Sequence, residues 1–301
     1  MRRIRAAHPG AHVTLLTTPP YAALGRATGL FDAVDDGGRS QGLGAQLSLI
    51  GRLRRGRFDR VYDLQTSDRS SALRLAFWPR IPEWSGIAPG ASHPHANPDR
   101  DRMHTLERQA EQLRDAGVWP DAPTARGAAP APDLGFMPDD PTAPARFALA
   151  APYALLAPGA SPLRPGKRWP VERYAELARR LRAAGISPAT VGGPGEAALG
   201  VALAQAGALD LTGRTGFDDL ASLGRHAALA ISNDTGPAHL LAAAGAPTVV
   251  LFGPDSDPAL CAPRGARVRV LAADTLAAIT PDAVWAELAS LRAAPPEEIP
   301  A

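Results

Sequence analysis

Residues 227–244 restrict the possible folds of this chain more than any other stretch. An apolar strand, residues 227–231, is followed by a small polar turn and a short helix over about 237–244. The proline at the helix start suits a first helical turn, because its φ angle is already helical and its missing N–H would have no partner there. Asp234 and Thr235 can accept hydrogen bonds from the N–H groups of that turn. The stretch predicts an α/β domain with either an ordinary capped helix or a phosphate-binding corner.

The same alternation of strands and helices continues along the rest of the chain. Residues 1–10 are expected to end a helix, and strand and helix patterns then alternate as far as residue 116. A segment rich in Pro, Ala and Asp, residues 120–144, is typical of a semi-rigid connection. A second alternating series follows it. We therefore predict two domains with parallel sheets, residues 1–145 and 146–301, each with helices on both faces of its sheet.

Charge and cysteine content exclude several classes of function. The formal net charge is only +2, and no basic block is interleaved with aromatic residues, so nucleic-acid binding is not predicted. Five arginines lie close together in the sequence of the first half: Arg52, Arg54, Arg55, Arg57 and Arg60. We favour a solvated helix end as their interpretation, and the alternative is a surface for an anionic acceptor or a membrane.

The single cysteine, Cys261, excludes an internal disulfide and fits a reducing compartment.

Three loops of the second half follow predicted strands and are expected to line one crevice. They cover residues 158–170, 192–196 and 233–239. In an open α/β sheet, the loops at the carboxyl ends of the strands form the ligand site. These loops offer the hydroxyl of Ser161, the cation of Lys167 and the carboxylate of Glu196, which suit a diphosphate and a ribose diol. The alternatives are a solvated loop for Lys167 and an ordinary helix-start charge for Glu196.

Other polar groups are interpreted without a ligand. The segment Asp255-Ser256-Asp257 resembles the Asp-x-Asp of metal-dependent sugar transferases, but the prolines and glycine around it favour a turn. The histidines His93, His95 and His104 have neither cysteine neighbours nor helical pairing, so no metal site is predicted.

The three loops, in this order, resemble glycosyltransferase family 9, the ADP-heptose:lipopolysaccharide heptosyltransferase family. The specific part is Asp-Thr-Gly-Pro-Ala-His at 234–239 with Pro-Thr-Val-Val-Leu-Phe-Gly-Pro at 247–254. Pro-Gly-Ala-Ser at 158–161, Lys-Arg-Trp-Pro at 167–170 and, more weakly, residues 58–65 also match. The resemblance implies a GT-B fold, in which two Rossmann-like domains face a cleft and the C-terminal domain holds the sugar nucleotide.

The resemblance also implies an activity and a set of donor contacts. The activity is inverting transfer of heptose from ADP-heptose to the lipopolysaccharide inner core, without a metal or other cofactor, in the cytoplasm or at the inner membrane surface. By position, Ser161 and Lys167 would bind phosphates, and Glu196 would hold the ribose. Asp234, Thr235 and Gly236 would contact the sugar and the diphosphate. His239 would lie just behind these three residues. Two alternatives stay open: a sugar-nucleotide binder without catalysis, and a family-9 transferase with another donor sugar.

The first residues depart from the family pattern. Family members normally begin with a strand and a Gly-Asp loop whose Asp is the proposed general base, before an arginine-rich segment like residues 2–10. We expect either a misassigned start, which we favour, or a protein without the usual base. A sheet without that strand would expose apolar edges. Asp63 and Asp68 lie near a strand end, but neither is assigned as the base.

Overall fold

The computed structural model describes residues 1–39, 41–123, 125–161 and 163–293. The chain divides into two compact units, Met1–Pro130 and Ala131–Ala301. This division falls inside the Pro- and Ala-rich stretch predicted to connect the halves, ahead of the expected division at residue 145. Residues just after the division are held by the second unit, since the guanidinium of Arg225 donates hydrogen bonds to the carbonyls of Leu134, Met137 and Pro138.

The first unit is α/β throughout. Its helices and strands are, in chain order, α1 (Arg2–Ala7), β1 (Thr14–Leu16), α2 (Pro19–Ala27), β2 (Ala33–Asp35), α3 (Leu43–Arg55), β3 (Arg60–Tyr62), α4 (Asp68–Ala72), β4 (Glu83–Gly86), β5 (His93–Pro94) and α5 (Thr105–Asp115). Its strands form two separate parallel sheets, β1 with β2 and β3 with β4 and β5. The short strand β5 lies in a polar segment rich in His and Pro.

The second unit contains one larger sheet. Its helices and strands are α6 (Ala143–Arg146), β6 (Tyr153–Ala157), α7 (Val171–Ala183), β7 (Ser187–Thr190), α8 (Ala197–Ala204), β8 (Leu209–Asp210), α9 (Phe217–His226), β9 (Leu229–Asn233), α10 (Gly236–Ala243), β10 (Thr248–Phe252), α11 (Pro258–Cys261), β11 (Val268–Ala272) and α12 (Pro281–Ala293). The six strands are parallel, in the order β11-β10-β9-β6-β7-β8.

Burial explains why the strands of the second unit read as continuous apolar runs. Every residue of β6, β9 and β10 is buried, because helices cover both faces of a parallel sheet. One face packs on the inner side of α7, where the ring of Tyr174 meets that of Trp169 edge to face at 4.9 Å between centroids. This packing gives a rigid base for the loops at the carboxyl ends of the strands.

Candidate functional site

The candidate site lies at the carboxyl ends of β6 and β9, which are neighbours at the middle of the second sheet. From β6 the chain builds the sheet towards β7 and β8, and from β9 it builds the sheet in the other direction. The strand order therefore reverses between β6 and β9, and in open α/β sheets a ligand crevice forms at such a switch point. Two of the three predicted loops consequently begin side by side.

A buried amide, Asn233 at the end of β9, fixes the geometry of this point. Its Nδ2 donates to the carbonyl of Pro158 at 2.7 Å and more weakly to that of Gly159 at 3.3 Å. Its Oδ1 accepts from the backbone N–H of Trp169 at 3.3 Å and from the hydroxyl of Tyr174 at 3.1 Å. Burial raises the pKa of that hydroxyl well above its usual value, so it remains a donor. One side chain therefore holds both ends of the loop 158–170 against β9.

Two of the predicted donor-site residues, Lys167 and Asp234, form an ion pair in the structure. Lys167 Nζ lies 2.5 Å from Asp234 Oδ2, and the same oxygen accepts from Ser256 Oγ at 2.6 Å. The Lys167 side chain is only 14% exposed and that of Asp234 only 6%. Ser256 is a functional candidate that the sequence does not reveal, because Asp255-Ser256-Asp257 with its glycine and prolines predicts a turn. The turn is real, since Asp257 caps α11 by accepting from the N–H of Ala259 at 2.8 Å, but the hydroxyl beside it reaches into the site.

Lys167 is also the single lysine of the chain, which has 31 arginines. A lysine ammonium is a compact point charge on a flexible stem, whereas an arginine presents a wide planar fork. A compact ammonium suits a place where the Ser256 hydroxyl bonds the same Asp234 oxygen. A single lysine in an arginine-rich chain is a sequence feature that could have indicated this site.

The start of α10 differs from the prediction in one respect. Thr235 is the N-cap residue by position, yet neither it nor Asp234 caps the helix with its side chain. The expected capping is therefore wrong, because the Asp234 carboxylate is held by Lys167 and Ser256, and the Thr235 hydroxyl lies 3.4 Å from the carbonyl of Asn233. Gly236 opens the helix at an exposed position with no atom within 4 Å of where a Cβ would be. His239 is exposed one turn further on.

The carboxylate of Glu196 lies across two glycines. It accepts from the backbone N–H of Gly193 at 2.8 Å and is half-buried. A Cβ added to Gly159 would lie 1.5 Å from Glu196 Oε1, and one added to Gly192 would lie 2.2 Å from Oε2. The loop after β6 and the loop after β7 are thus joined at this carboxylate. Ser161 is exposed on the first of these loops, and the neighbouring residue 162 lies outside the described residues.

The three histidines for which no metal site is predicted each contact a different glutamate of the first unit. The nitrogen–oxygen distances are 2.9 Å for His95 with Glu111, 3.2 Å for His104 with Glu107 and 3.6 Å for His93 with Glu83. Across the parts of the chain that the structure describes, no group of three or more His, Cys, Asp or Glu residues is arranged to hold a metal ion.

The arginine cluster of the first unit is largely occupied by partners within the unit. Arg52 makes two hydrogen bonds to the Asp35 carboxylate, at 2.7 and 3.0 Å, and Arg54 donates to the carbonyl of Ala76 at 2.7 Å. Arg60 pairs with Glu83.

Among the helices of the described ranges, none has the length and apolar character that a membrane span requires.

Comparison with known proteins gives the family. The model of glycosyltransferase family 9 (heptosyltransferase) matches residues 46–283, which include every predicted donor-site residue. The chain belongs to glycosyltransferase family 9. The lipopolysaccharide heptosyltransferase 2 of Escherichia coli is 28% identical over 257 residues, covering 76% of this chain and 69% of that protein. The lipooligosaccharide heptosyltransferase 2 of Haemophilus influenzae is 31% identical over 112 residues, so the match spans about a third (32%) of its length.

Solved structures agree with the family. The E. coli ADP-heptose lipopolysaccharide heptosyltransferase II superposes with a TM-score of 0.78 at 25% identity, over 97% of this chain and 92% of that one. A family-9 glycosyltransferase from Veillonella parvula gives a TM-score of 0.75 at 21% identity, over 97% and 91%. These likenesses confirm the predicted fold class, α/β of the GT-B type.

Proposed function

We propose that the chain transfers heptose from ADP-heptose to the inner core of lipopolysaccharide, with inversion at the anomeric carbon. The family supports a glycosyltransferase, and the E. coli neighbour with 25% identity is named for this donor and this type of acceptor. The observation that carries the proposal is the ion pair of Lys167 and Asp234 at the switch point, directly before the start of α10.

The geometry suits a reaction in which a diphosphate leaves. As the acceptor hydroxyl attacks the anomeric carbon, the bond to the diphosphate breaks and negative charge grows on the ADP leaving group. A cation and the first N–H groups of a helix, held in place before the reaction, stabilise that charge more in the transition state than in the ground state. In the proposal Lys167 and Ser161 bind the phosphates, while Asp234, Thr235 and Gly236 contact the heptose and the diphosphate. The acceptor proton must pass to a general base, to which we assign no residue.

The remaining donor contacts follow from the same arrangement. Glu196, lying across Gly159 and Gly192, is proposed to accept hydrogen bonds from the ribose diol of ADP. His239 is proposed to lie just behind the diphosphate. We also propose that transfer is metal-independent, because Lys167 and the α10 start supply the positive charge, and that it takes place in the cytoplasm at the inner membrane surface. Transfer that continues unchanged in EDTA is the expected result.

The test is release of ADP from ADP-heptose in the presence of a core acceptor that lacks heptose. Lys167→Ala should lower kcat/KM by about a hundredfold, the usual effect of removing one donor to a developing charge. Arg182→Ala is the matched control, because that exposed guanidinium near the end of α7 donates to the carbonyl of Gly207 just before β8, at the amino ends of the strands and away from the site. Binding of ADP-heptose in calorimetry without turnover would instead show a non-catalytic binder. Turnover with another sugar from a donor panel, and none with ADP-heptose, would refute the proposed donor.

A further inference from the structure

Ser256 differs from the other site residues, because it lies outside the three loops that the sequence predicts. It follows β10, which lies beside β9 on the side away from β6. Its hydroxyl donates to Asp234 Oδ2 at 2.6 Å, and Lys167 from the loop after β6 bonds the same oxygen. The carboxylate at the end of β9 is therefore held from the loops of both neighbouring strands.

The loop that carries Ser256 is closely packed, whereas Lys167 has a flexible side chain. A Cβ added to Gly253 would lie 2.7 Å from the carbonyl oxygen of Gly166, and one added to Gly166 would lie 2.7 Å from Asp255 Oδ2. The backbone after β10 thus rests directly on the backbone that leads to Lys167. Because a serine hydroxyl is short, this packing fixes its position, while the ammonium can turn on its four-carbon stem.

The Asp234 carboxylate does not make the hydrogen bond that its position favours. An aspartate at a turn commonly accepts from the backbone N–H two residues ahead. In the described ranges, aspartates at other turns do so at 2.6–2.9 Å: Asp35, Asp133, Asp140, Asp210 and Asp257. The corresponding donor for Asp234 is the N–H of Gly236, and this N–H has no acceptor among the residues that the structure describes.

The N–H of Gly236 is one of the groups that an anion at the start of α10 would use. A free N–H at a helix start, together with the helix dipole, favours a phosphate. A carboxylate bonded there would occupy the donor and place a negative charge beside the phosphate. When the Lys167 ammonium turns to a diphosphate, the Ser256 hydroxyl is the group that still holds Asp234 Oδ2.

We propose that Ser256 is a positioning residue for donor binding. Its hydroxyl keeps the Asp234 carboxylate away from the Gly236 N–H while Lys167 is engaged by the diphosphate. Ser256 acts through Asp234 and makes no contact with the donor in this role. The role rests on the proposed function, since it requires the diphosphate to lie at the start of α10.

Calorimetry with ADP tests this role. Ser256→Ala should weaken ADP binding about tenfold, because the released carboxylate competes with the diphosphate for the Gly236 N–H. Ser256→Thr keeps the hydroxyl and should restore binding to within about twofold of the wild type. Ser187→Ala is the matched control, because that serine begins β7, at the opposite ends of the strands from the site.

A double variant separates this role from a direct contact with the donor. In the Asp234→Ala background, Ser256→Ala should change the ADP affinity by less than about twofold, because the group that it positions is gone. An equal loss in both backgrounds, or wild-type affinity in Ser256→Ala, would overturn this role and leave the proposed function standing. A wild-type protein that does not bind ADP would overturn both.

Hydrogen exchange at the Gly236 amide reports on the Asp234 carboxylate without a ligand. In Lys167→Met the Ser256 hydroxyl still holds the carboxylate, so this amide should exchange freely. Adding Ser256→Ala should slow its exchange at least about tenfold, because Asp234 then accepts from it. An equal rate in the two variants would contradict the proposed role, and the calorimetric comparison, in which every variant retains Lys167, decides it independently.

Discussion

Replacing Lys167 by methionine, which keeps the length of the side chain but removes the charge, should destabilise the second unit by about 3 kcal/mol. The change leaves the Asp234 carboxylate, 6% exposed, with the Ser256 hydroxyl as its remaining partner in the ion-pair cluster. Removing one member of a buried ion pair typically costs about 3–5 kcal/mol, since an uncompensated charge stays in a poorly solvated place. The serine bond places the expected value near the lower end of this range.

Substitution of the partner carboxylate, Asp234→Asn, should lower the stability of the second unit less. In Asp234→Asn the ammonium of Lys167 loses its counter-charge, but its side chain is 14% exposed and its flexible stem lets the charge turn towards water. A loss of about 1 kcal/mol is expected. The double variant removes both charges and should be no less stable than Lys167→Met alone, because a neutral pair of similar shape often replaces a buried ion pair at little cost. The coupling free energy between the two positions is then at least about 1 kcal/mol, because the two single losses would add to about 4 kcal/mol if the positions were independent.

Amide hydrogen exchange in β9 is the suitable assay, because this fully buried central strand opens only when the second unit unfolds. It avoids the assumption that both units unfold in one transition, which larger chains often violate. Arg214→Met, in which an exposed guanidinium is lost, should leave the exchange rates of β9 within about twofold. Equal losses for Lys167→Met and Asp234→Asn, or additive losses in the double variant, would refute the account of a buried and asymmetric pair.

Two further predictions concern other residues. Gly159→Ala places a Cβ 1.5 Å from the Glu196 carboxylate and should weaken ADP binding in calorimetry about tenfold, whereas Gly195→Ala has open space and should change it little. The Arg52 hydrogen bonds lower the pKa of Asp35, so this stabilisation is present above the unfolded pKa of about 3.9 and is lost as the pH falls through the lowered folded value. Arg52→Ala should therefore cost about 0.5–1 kcal/mol at pH 7 and much less near pH 2 in denaturant titrations of the first unit, and an equal cost at both pH values would contradict it.

The central strands of the second unit have a clearer sequence signal than the strands of the first, for a physical reason. The strand at 153–157 and the strand ending at Phe252 are fully buried, so their sequences are continuous apolar runs bounded by Pro or Gly. In the first unit, β1, β2 and β3 are three residues long and half-buried, and they lack that signal. The two-residue strands β5 and β8 form because neighbouring strands offer partners, which no local pattern reveals.

At the site, residue types and loop order were predictable but partners were not. Lys167 and Asp234 were both named as donor-site residues, yet nothing in the spacing of 67 positions shows that they pair. Asn233 and Ser256 were missed, because each acts through a contact with a distant loop. A buried amide at the end of a central strand is a signal that could have marked Asn233.

The most direct test of the account uses the single lysine. Reductive methylation with ¹³C-formaldehyde keeps the charge and labels only Lys167 and the chain's amino terminus, and the signal missing from Lys167→Arg identifies the lysine. If Lys167 binds the donor diphosphate, titration with ADP should shift this resonance with the same dissociation constant that calorimetry gives, while the amino-terminal signal stays in place. ADP that binds in calorimetry without moving the Lys167 resonance, or ADP that does not bind at millimolar concentration, would contradict the proposed site.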